Sequence, residues 1–76
     1  MVRLAFNLGN KHQITPGDFV GVIAGVTRLS KEVVGRIDIM DDQTLVDVSD
    51  ECANVVLKKL NGIKFKGRKL AVTIAR

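Results

Sequence analysis

Gly35-Arg36-Ile37-Asp38-Ile39-Met40-Asp41-Asp42-Gln43-Thr44-Leu45-Val46-Asp47-Val48 is the stretch that decides the fold. Ile37 and Ile39 alternate with Arg36 and Asp38, and Val46 and Val48 alternate with Leu45 and Asp47. Each half therefore carries one apolar face at the two-residue period of a strand. Asp41-Asp42 between them is a tight-turn signal. The run reads as a hairpin with Ile37, Ile39, Val46 and Val48 inward and Gln43, Leu45 and Asp47 outward. A lone hairpin is marginal in water, so its apolar face requires partners from the flanking sequence.

On the N-terminal side those partners are a helix and a strand. Phe19, Val22, Ile23 and Val26 recur at i, i+3, i+4 and i+7, which lines up one helical face. Thr15 caps this helix, Pro16 suits its first position, and Asp18 faces its positive end. Gly21 and Gly25 lie within it and cost about 1 kcal/mol each against Ala, so a close approach of helix to sheet is expected at both. Val2, Leu4, Phe6 and Leu8 alternate with Arg3, Ala5 and Asn7 as a first strand. The polar loop Gly9–Gln13 joins strand to helix.

The C-terminal side repeats the order. Ser49-Asp50-Glu51 supplies a cap and first-turn acids for a helix whose apolar face is Ala53, Val56, Leu57 and Leu60, closed by Asn61-Gly62. A basic turn, Lys64-Phe65-Lys66-Gly67-Arg68, precedes a last strand with Leu70, Val72 and Ile74 inward. The predicted order is β-α-β-β-α-β. Right-handed crossovers make it an α+β, ferredoxin-like plait, a four-stranded antiparallel sheet with both helices on one face. The uncovered sheet face is where function is expected.

Composition narrows the classes. The chain has 76 residues, 46% apolar and 26% charged, a globular balance that fits one domain spanning residues 1–76. A single cysteine, Cys52, excludes an internal disulfide, and no Cys/His cluster suggests a metal. Cys52 is open to two readings, a buried structural thiol or one with thiolate character near a helix start. No apolar stretch is long enough for a membrane span, and Met1-Val2-Arg3 runs straight into the alternating pattern, not into a leader segment. A reducing, cytoplasmic setting is expected.

The net charge of +4 hides a strong asymmetry. Residues 1–33 carry Arg3, Lys11, Arg28 and Lys31 against Asp18 and Glu32. Residues 34–57 carry Arg36 against Asp38, Asp41, Asp42, Asp47, Asp50 and Glu51. Residues 58–76 carry Lys58, Lys59, Lys64, Lys66, Arg68, Lys69 and Arg76 with no acid. Such segregation produces a local positive field whose usual complement is a polyanion.

Leu60-Asn61-Gly62 followed by Gly67-Arg68-Lys69-Leu70-Ala71-Val72 resembles the end of an RNA recognition motif. Pro16-Gly17-Asp18-Phe19-Val20-Gly21 and Val34-Gly35-Arg36-Ile37-Asp38-Ile39 resemble one branch of that fold, the C-terminal RNA-binding domain of DbpA-like DEAD-box RNA helicases. The resemblance runs from Val2 to Arg76. It implies a piece of a larger bacterial, cytoplasmic enzyme whose ATP- and magnesium-dependent core lies in cis. By the same resemblance this domain needs no cofactor and is not itself an enzyme, and it tethers the motor to structured RNA, often ribosomal. Neither a Gly-x-x-x-x-Gly-Lys-Ser/Thr phosphate loop nor an Asp-Glu-Ala-Asp run occurs in the sequence.

One departure bears on mechanism. An ordinary RNA recognition motif stacks bases on sheet aromatics, whereas the outward positions Arg3, Ala5, Asn7, Gln43, Leu45 and Asp47 include none. Phe6 and Phe19 read as core, and the side taken by Phe65 is open. Binding is then expected to rest on cations: Arg3 and Arg36 on the sheet, Lys11 and His12 in the first loop, and Lys64, Lys66, Arg68 and Lys69 around the last turn. Lys64 to Lys69 equally fits an ordinary solvated turn, and Lys58-Lys59 fits a complement to the helix dipole. Two other functions share the fold. A protein-interaction module would dock on Ala5, Met40, Leu45 and Ala71, and a small hydrolase of the acylphosphatase kind would use Arg3 and Asn7.

Overall fold

The computed structural model describes residues 1–75. Arg76, counted above in the basic C-terminal segment, lies outside the described residues. The elements run β1 (Val2–Phe6), α1 (Pro16–Thr27), β2 (Val34–Ile39), β3 (Thr44–Val48), α2 (Ala53–Leu60), β4 (Lys64–Phe65), β5 (Arg68–Lys69) and β6 (Val72–Ile74). Short 3₁₀ turns occupy Asn10–His12 and Lys31–Val33. The main sheet has the order β2-β3-β1-β6 and is antiparallel throughout. This is the expected ferredoxin-like plait.

The core forms where the alternating strand residues meet the helices. Leu4, Phe6, Val46, Val48 and Val72 rise from the sheet to pack on Phe19, Ile23, Val56 and Leu60, all of them buried. Phe6 and Phe19 meet edge to face with ring centroids 5.3 Å apart, a preferred aromatic geometry. Phe65 settles on the inner side: it is half-buried, and its ring centroid lies 6.3 Å from that of Phe19. Thr44 is the one buried polar side chain among the described residues, and its hydroxyl donates to the Leu8 carbonyl at 2.7 Å, as a buried hydroxyl must.

α1 starts as expected. The Asp18 N–H donates to the Thr15 hydroxyl, and the Thr15 N–H donates to the Asp18 carboxylate at 3.0 Å. The expectation for Gly21 and Gly25 is overturned. Both are exposed, and a Cβ at either position would meet nothing within 4 Å, because they lie on the side of α1 turned away from the sheet. The cap of α2 also differs. Ser49-Asp50-Glu51 forms a turn in which the Cys52 N–H donates to the Ser49 carbonyl, and the helix begins one residue beyond Cys52 without a side-chain cap. Cys52 itself is half-buried. Ile74 sits opposite Leu4 on the helix side, yet it is 47% exposed, since β6 is an edge strand with no neighbour beyond it.

The basic turn is a second, two-stranded sheet of its own. β4 pairs with β5, Lys64 opposite Lys69 and Phe65 opposite Arg68. Lys66 and Gly67 between them have φ of 53° and 78°, the doubly left-handed geometry of a type I′ hairpin turn. Gly67 supplies this conformation at no steric cost, and Lys66 is carried along. The residues expected to start the last strand, Leu70 and Ala71, instead link this ribbon to β6.

Candidate nucleic-acid interface

Antiparallel register collects the basic segments at one end of the molecule. Phe6, at the end of β1, lies opposite Thr44, at the start of β3, and opposite Val72, at the start of β6. The same end therefore holds the loop after β1, the turn between β2 and β3, the C-terminal turn of α2 with Lys58 and Lys59, and the β4–β5 ribbon. Lys11, Lys64, Lys66, Arg68 and Lys69 all lie here, drawn from segments more than fifty residues apart. Asp18, Asp41 and Asp42 share this end with them.

The loop is rigidly held. The Asn10 N–H donates to the Met40 carbonyl at 2.7 Å and the Lys11 N–H to the Asp41 carbonyl at 3.0 Å. Gly9 lies so close to this turn that a Cβ would stand 2.4 Å from the Met40 oxygen and 2.6 Å from the Gln43 nitrogen. Its φ of −145° is open to any residue, so glycine is needed here for space alone. His12 is half-buried, and its Nδ1 accepts the Gly9 N–H at 3.0 Å. That bond fixes the ring and leaves Nε2 as the only ring nitrogen for another partner.

The ribbon is fastened from two sides. Asn7, at the end of β1, donates from Nδ2 to the Lys69 carbonyl at 3.0 Å and accepts the Ala71 N–H at 2.8 Å. On the other side the Lys66 ammonium lies 3.3 Å from the Asp18 carboxylate. The Asp18 carboxyl is held below the usual aspartate range, chiefly by the Thr15 N–H and further by Lys66. Lys64 and Lys69 face each other directly across β4 and β5, and Lys64, Arg68 and Lys69 make no ion pair among the described residues. Like charges directly opposite on neighbouring strands destabilise a ribbon.

The uncovered sheet face is different. Arg3 donates from Nε to Asp47 at 3.0 Å and Arg36 from Nε to Asp38 at 3.1 Å. Hydrogen bonding to Arg3 holds the Asp47 carboxyl below its ordinary value, and the same bond raises the pKa of Arg3. The two sheet cations are thus compensated by the acids whose repulsion of phosphate the sequence suggested, and the face is nearly neutral. No phenylalanine ring lies on it, since all three rings are turned inward. Arg3 and Asn7, the pair a small hydrolase would use, are separately committed to Asp47 and to the backbone of residues 69 and 71. A shallow, open depression of about 350 Å³ marks the face where it meets the cationic end, lined by Ala5, Phe6, Asn7, Asp42, Gln43, Ala71 and Thr73.

Of the eight residues named from the sequence, Lys11, Lys64, Lys66, Arg68 and Lys69 gather at one end. His12 is there as a structural acceptor, while Arg3 and Arg36 are paired elsewhere on the sheet. Asn7, Gly9 and Asp18 are the residues the sequence left unread as organisers of this end. For Asn7 the only sequence signal was an outward strand position beside a loop.

Comparison with known proteins finds relatives of this chain. The family described as DbpA RNA binding domain matches residues 3–74. The chain is 36% identical over 75 residues to the ATP-dependent RNA helicase DbpA of Bacillus subtilis, covering 99% of this chain and 16% of that protein. It is 29% identical over 76 residues to the ATP-dependent RNA helicase DbpA of Escherichia coli, covering 100% of this chain and 17% of that protein. An uncharacterized protein of Treponema pallidum is 29% identical over 70 residues, 92% of this chain and 31% of that one. The chain thus spans about a sixth of the helicases it matches, the part that carries RNA binding, without their core. It belongs to the DbpA RNA-binding domain family.

Proposed function

We propose that this domain tethers a DEAD-box, ATP-dependent helicase core, joined to it in cis, to structured RNA in the bacterial cytoplasm, with ribosomal RNA as the target class. Family membership supports the RNA-binding role. The facing Lys64 and Lys69 are the observation that carries the mechanism: two lysines directly opposite each other on a two-stranded ribbon set like charges side by side, a repulsion that an anion between them relieves. A phosphate of the RNA backbone is that anion. Phosphate contacts then set the register of the domain on the RNA, without a stacking sheet.

The test is the salt dependence of binding to a fluorescent RNA hairpin, for the wild type and for Lys69→Glu. Neutralised duplex phosphates give a log–log slope of roughly −0.9 per phosphate. Lys69→Glu turns the repulsive cross-strand pair into an attractive one, so it should stabilise the fold while weakening RNA binding and flattening the slope. Gains or losses in both quantities together would refute the proposed role of the ribbon. Competition by ribosomal RNA against transfer RNA and duplex DNA tests the target class; equal competition by all three removes the ribosomal assignment.

A further inference from the structure

The two outer strands of the main sheet, β2 and β6, are not protected alike. β2 carries a bulge between Val34 and Ile37 and the ion-paired Arg36 and Asp38, devices that stop a further strand from adding. β6 is blunted only by being short. Its residues Val72, Thr73 and Ile74 bear no charge, and Ile74 is 47% exposed on the helix side. The ladder fixes which of its backbone groups face outward. The Ala75 N–H donates to the Arg3 carbonyl at 2.8 Å, and in an antiparallel pair alternate residues bond the neighbour. Thr73 therefore turns its N–H and C=O to Ala5, while Val72 and Ile74 turn theirs to the outer edge.

One outward group is already used. The Val72 N–H donates at 3.1 Å to Oδ1 of Asn61, the residue that closes α2, so Asn61 marks where an added strand must stop. Beyond it, the Val72 carbonyl and the Ile74 N–H and carbonyl have no hydrogen-bond partner among the described residues. Together they offer an incoming strand three bonds. Its residue opposite Ile74 would share the helix side with that exposed side chain. Charge differs along the edge. At the Val72 end stand the ribbon and the last turn of α2, where Lys58, Lys59, Lys64, Arg68 and Lys69 make no ion pair among the described residues. At the Ile74 end β1 begins and β3 ends, and the acids Asp50 and Glu51 follow β3.

We propose that the outer edge of β6 takes an extended segment of a partner protein as a fifth strand. An apolar residue of that segment covers Ile74, and its acidic residues lie at the Val72 end, where the cations are. Main-chain bonds supply the attachment and side chains the selection. A second copy of this chain would return only its own three-residue β6, whose outward groups give two hydrogen bonds. A phosphate backbone carries no apolar side chain to lay on Ile74.

The test titrates ¹⁵N-labelled protein with short capped peptides of valine and threonine. They carry a pair of glutamates at the N-terminal end, a pair at the C-terminal end, or lysines in either place. One glutamate peptide, the one whose chain direction suits the edge, should slow amide exchange at Ile74 and leave Thr73, already turned to β1, unchanged. It should bind at least about three-fold more tightly than its lysine counterpart, as two exposed charge pairs allow. Ile74→Pro removes the outward N–H, which proline tolerates on an edge strand, and should abolish peptide binding. Ile74→Ala keeps that N–H and should only weaken it. Hairpin RNA should bind Ile74→Pro as it binds the wild type. Absence of peptide binding, binding that survives Ile74→Pro, or equal affinity for glutamate and lysine peptides would overturn the proposal. So would a sedimenting mass that rises with concentration and is lost in Ile74→Pro, which gives the edge to a second copy. Slowed exchange at Ile74 with hairpin RNA alone would give it to RNA and overturn the proposal equally.

Discussion

Replacing Gly9 by alanine should cost this domain about 2–4 kcal/mol. The new methyl would lie 2.4 Å from the Met40 oxygen, 2.6 Å from the Gln43 nitrogen and 2.7 Å from the Asp41 carbonyl carbon, all backbone atoms of a hydrogen-bonded turn that cannot rotate away. Relief requires the Gly9–His12 loop to move off the turn. That movement breaks the Asn10 to Met40 and Lys11 to Asp41 hydrogen bonds, each worth about 1 kcal/mol net. It also strains the buried Thr44 hydroxyl, whose partner is the carbonyl of Leu8, the residue before Gly9. An unsatisfied buried hydroxyl adds about 1–3 kcal/mol. A chain of 76 residues has roughly 4–11 kcal/mol of stability in all, so the variant keeps a fraction of it. For a domain of this size about 3 kcal/mol lowers Tm by roughly 12–24 °C. The assay is thermal melting by circular dichroism, with urea midpoints as a check. Gly9→Ser should behave like Gly9→Ala, because the backbone angle is ordinary and only volume matters. A drop in Tm below about 4 °C for either variant would refute the clash.

Three further outcomes follow from the same geometry. Gly21→Ala and Gly25→Ala should each stabilise the domain by about 0.5–1 kcal/mol, read as a rise in Tm, because the added methyl meets open space on an exposed helix. Asn7→Ala removes both fastenings of the ribbon at residues 69 and 71, so amide exchange at Lys64–Lys69 should accelerate far more than exchange in β1 or β3, and RNA affinity should fall with it. Asp18 and Asp47 have folded-state pKa values below the ordinary aspartate value of about 3.9. A depressed carboxylate contributes stability that is complete above the unfolded value and is lost as pH falls through the folded one. The Tm gap between the wild type and the Asp18→Asn, Asp47→Asn double variant should therefore be constant near neutrality and close in strong acid. A gap that persists below both pKa values would show that the carboxylate charges are not its cause.

Placement within secondary structure separates the glycines, and residue type does not. Gly9 packs on a neighbouring turn, Gly67 adopts a left-handed angle, and Gly21 and Gly25 face solvent. From the sequence, Gly21 and Gly25 suggested close packing because helix glycines are costly. The side of α1 they occupy is fixed by Phe19 and Ile23, whose burial turns positions 21 and 25 outward. That outcome was available from the helical period itself, once Phe19 and Ile23 were taken as the buried centre of the face.

The sequence by itself determined the plait, because burying one face of each element imposes a period, two for Leu4, Phe6, Val46 and Val48 and near four for Phe19 and Ile23 or Val56 and Leu60. It also kept Phe6 off the uncovered sheet, since strand parity alone sends that ring inward, whereas the side taken by Phe65 was decided by its packing against Phe19. Only the tertiary structure decided which cations remain available. Arg3 meets Asp47 and Lys66 meets Asp18 across 44 and 48 residues of chain, and partnership at that separation depends on register and on where a loop folds back, which no local pattern encodes. Asn7, read as an outward strand residue, became the fastening of a ribbon sixty residues away for the same reason: a hydrogen bond depends on distance in space, and only the packed chain sets that distance.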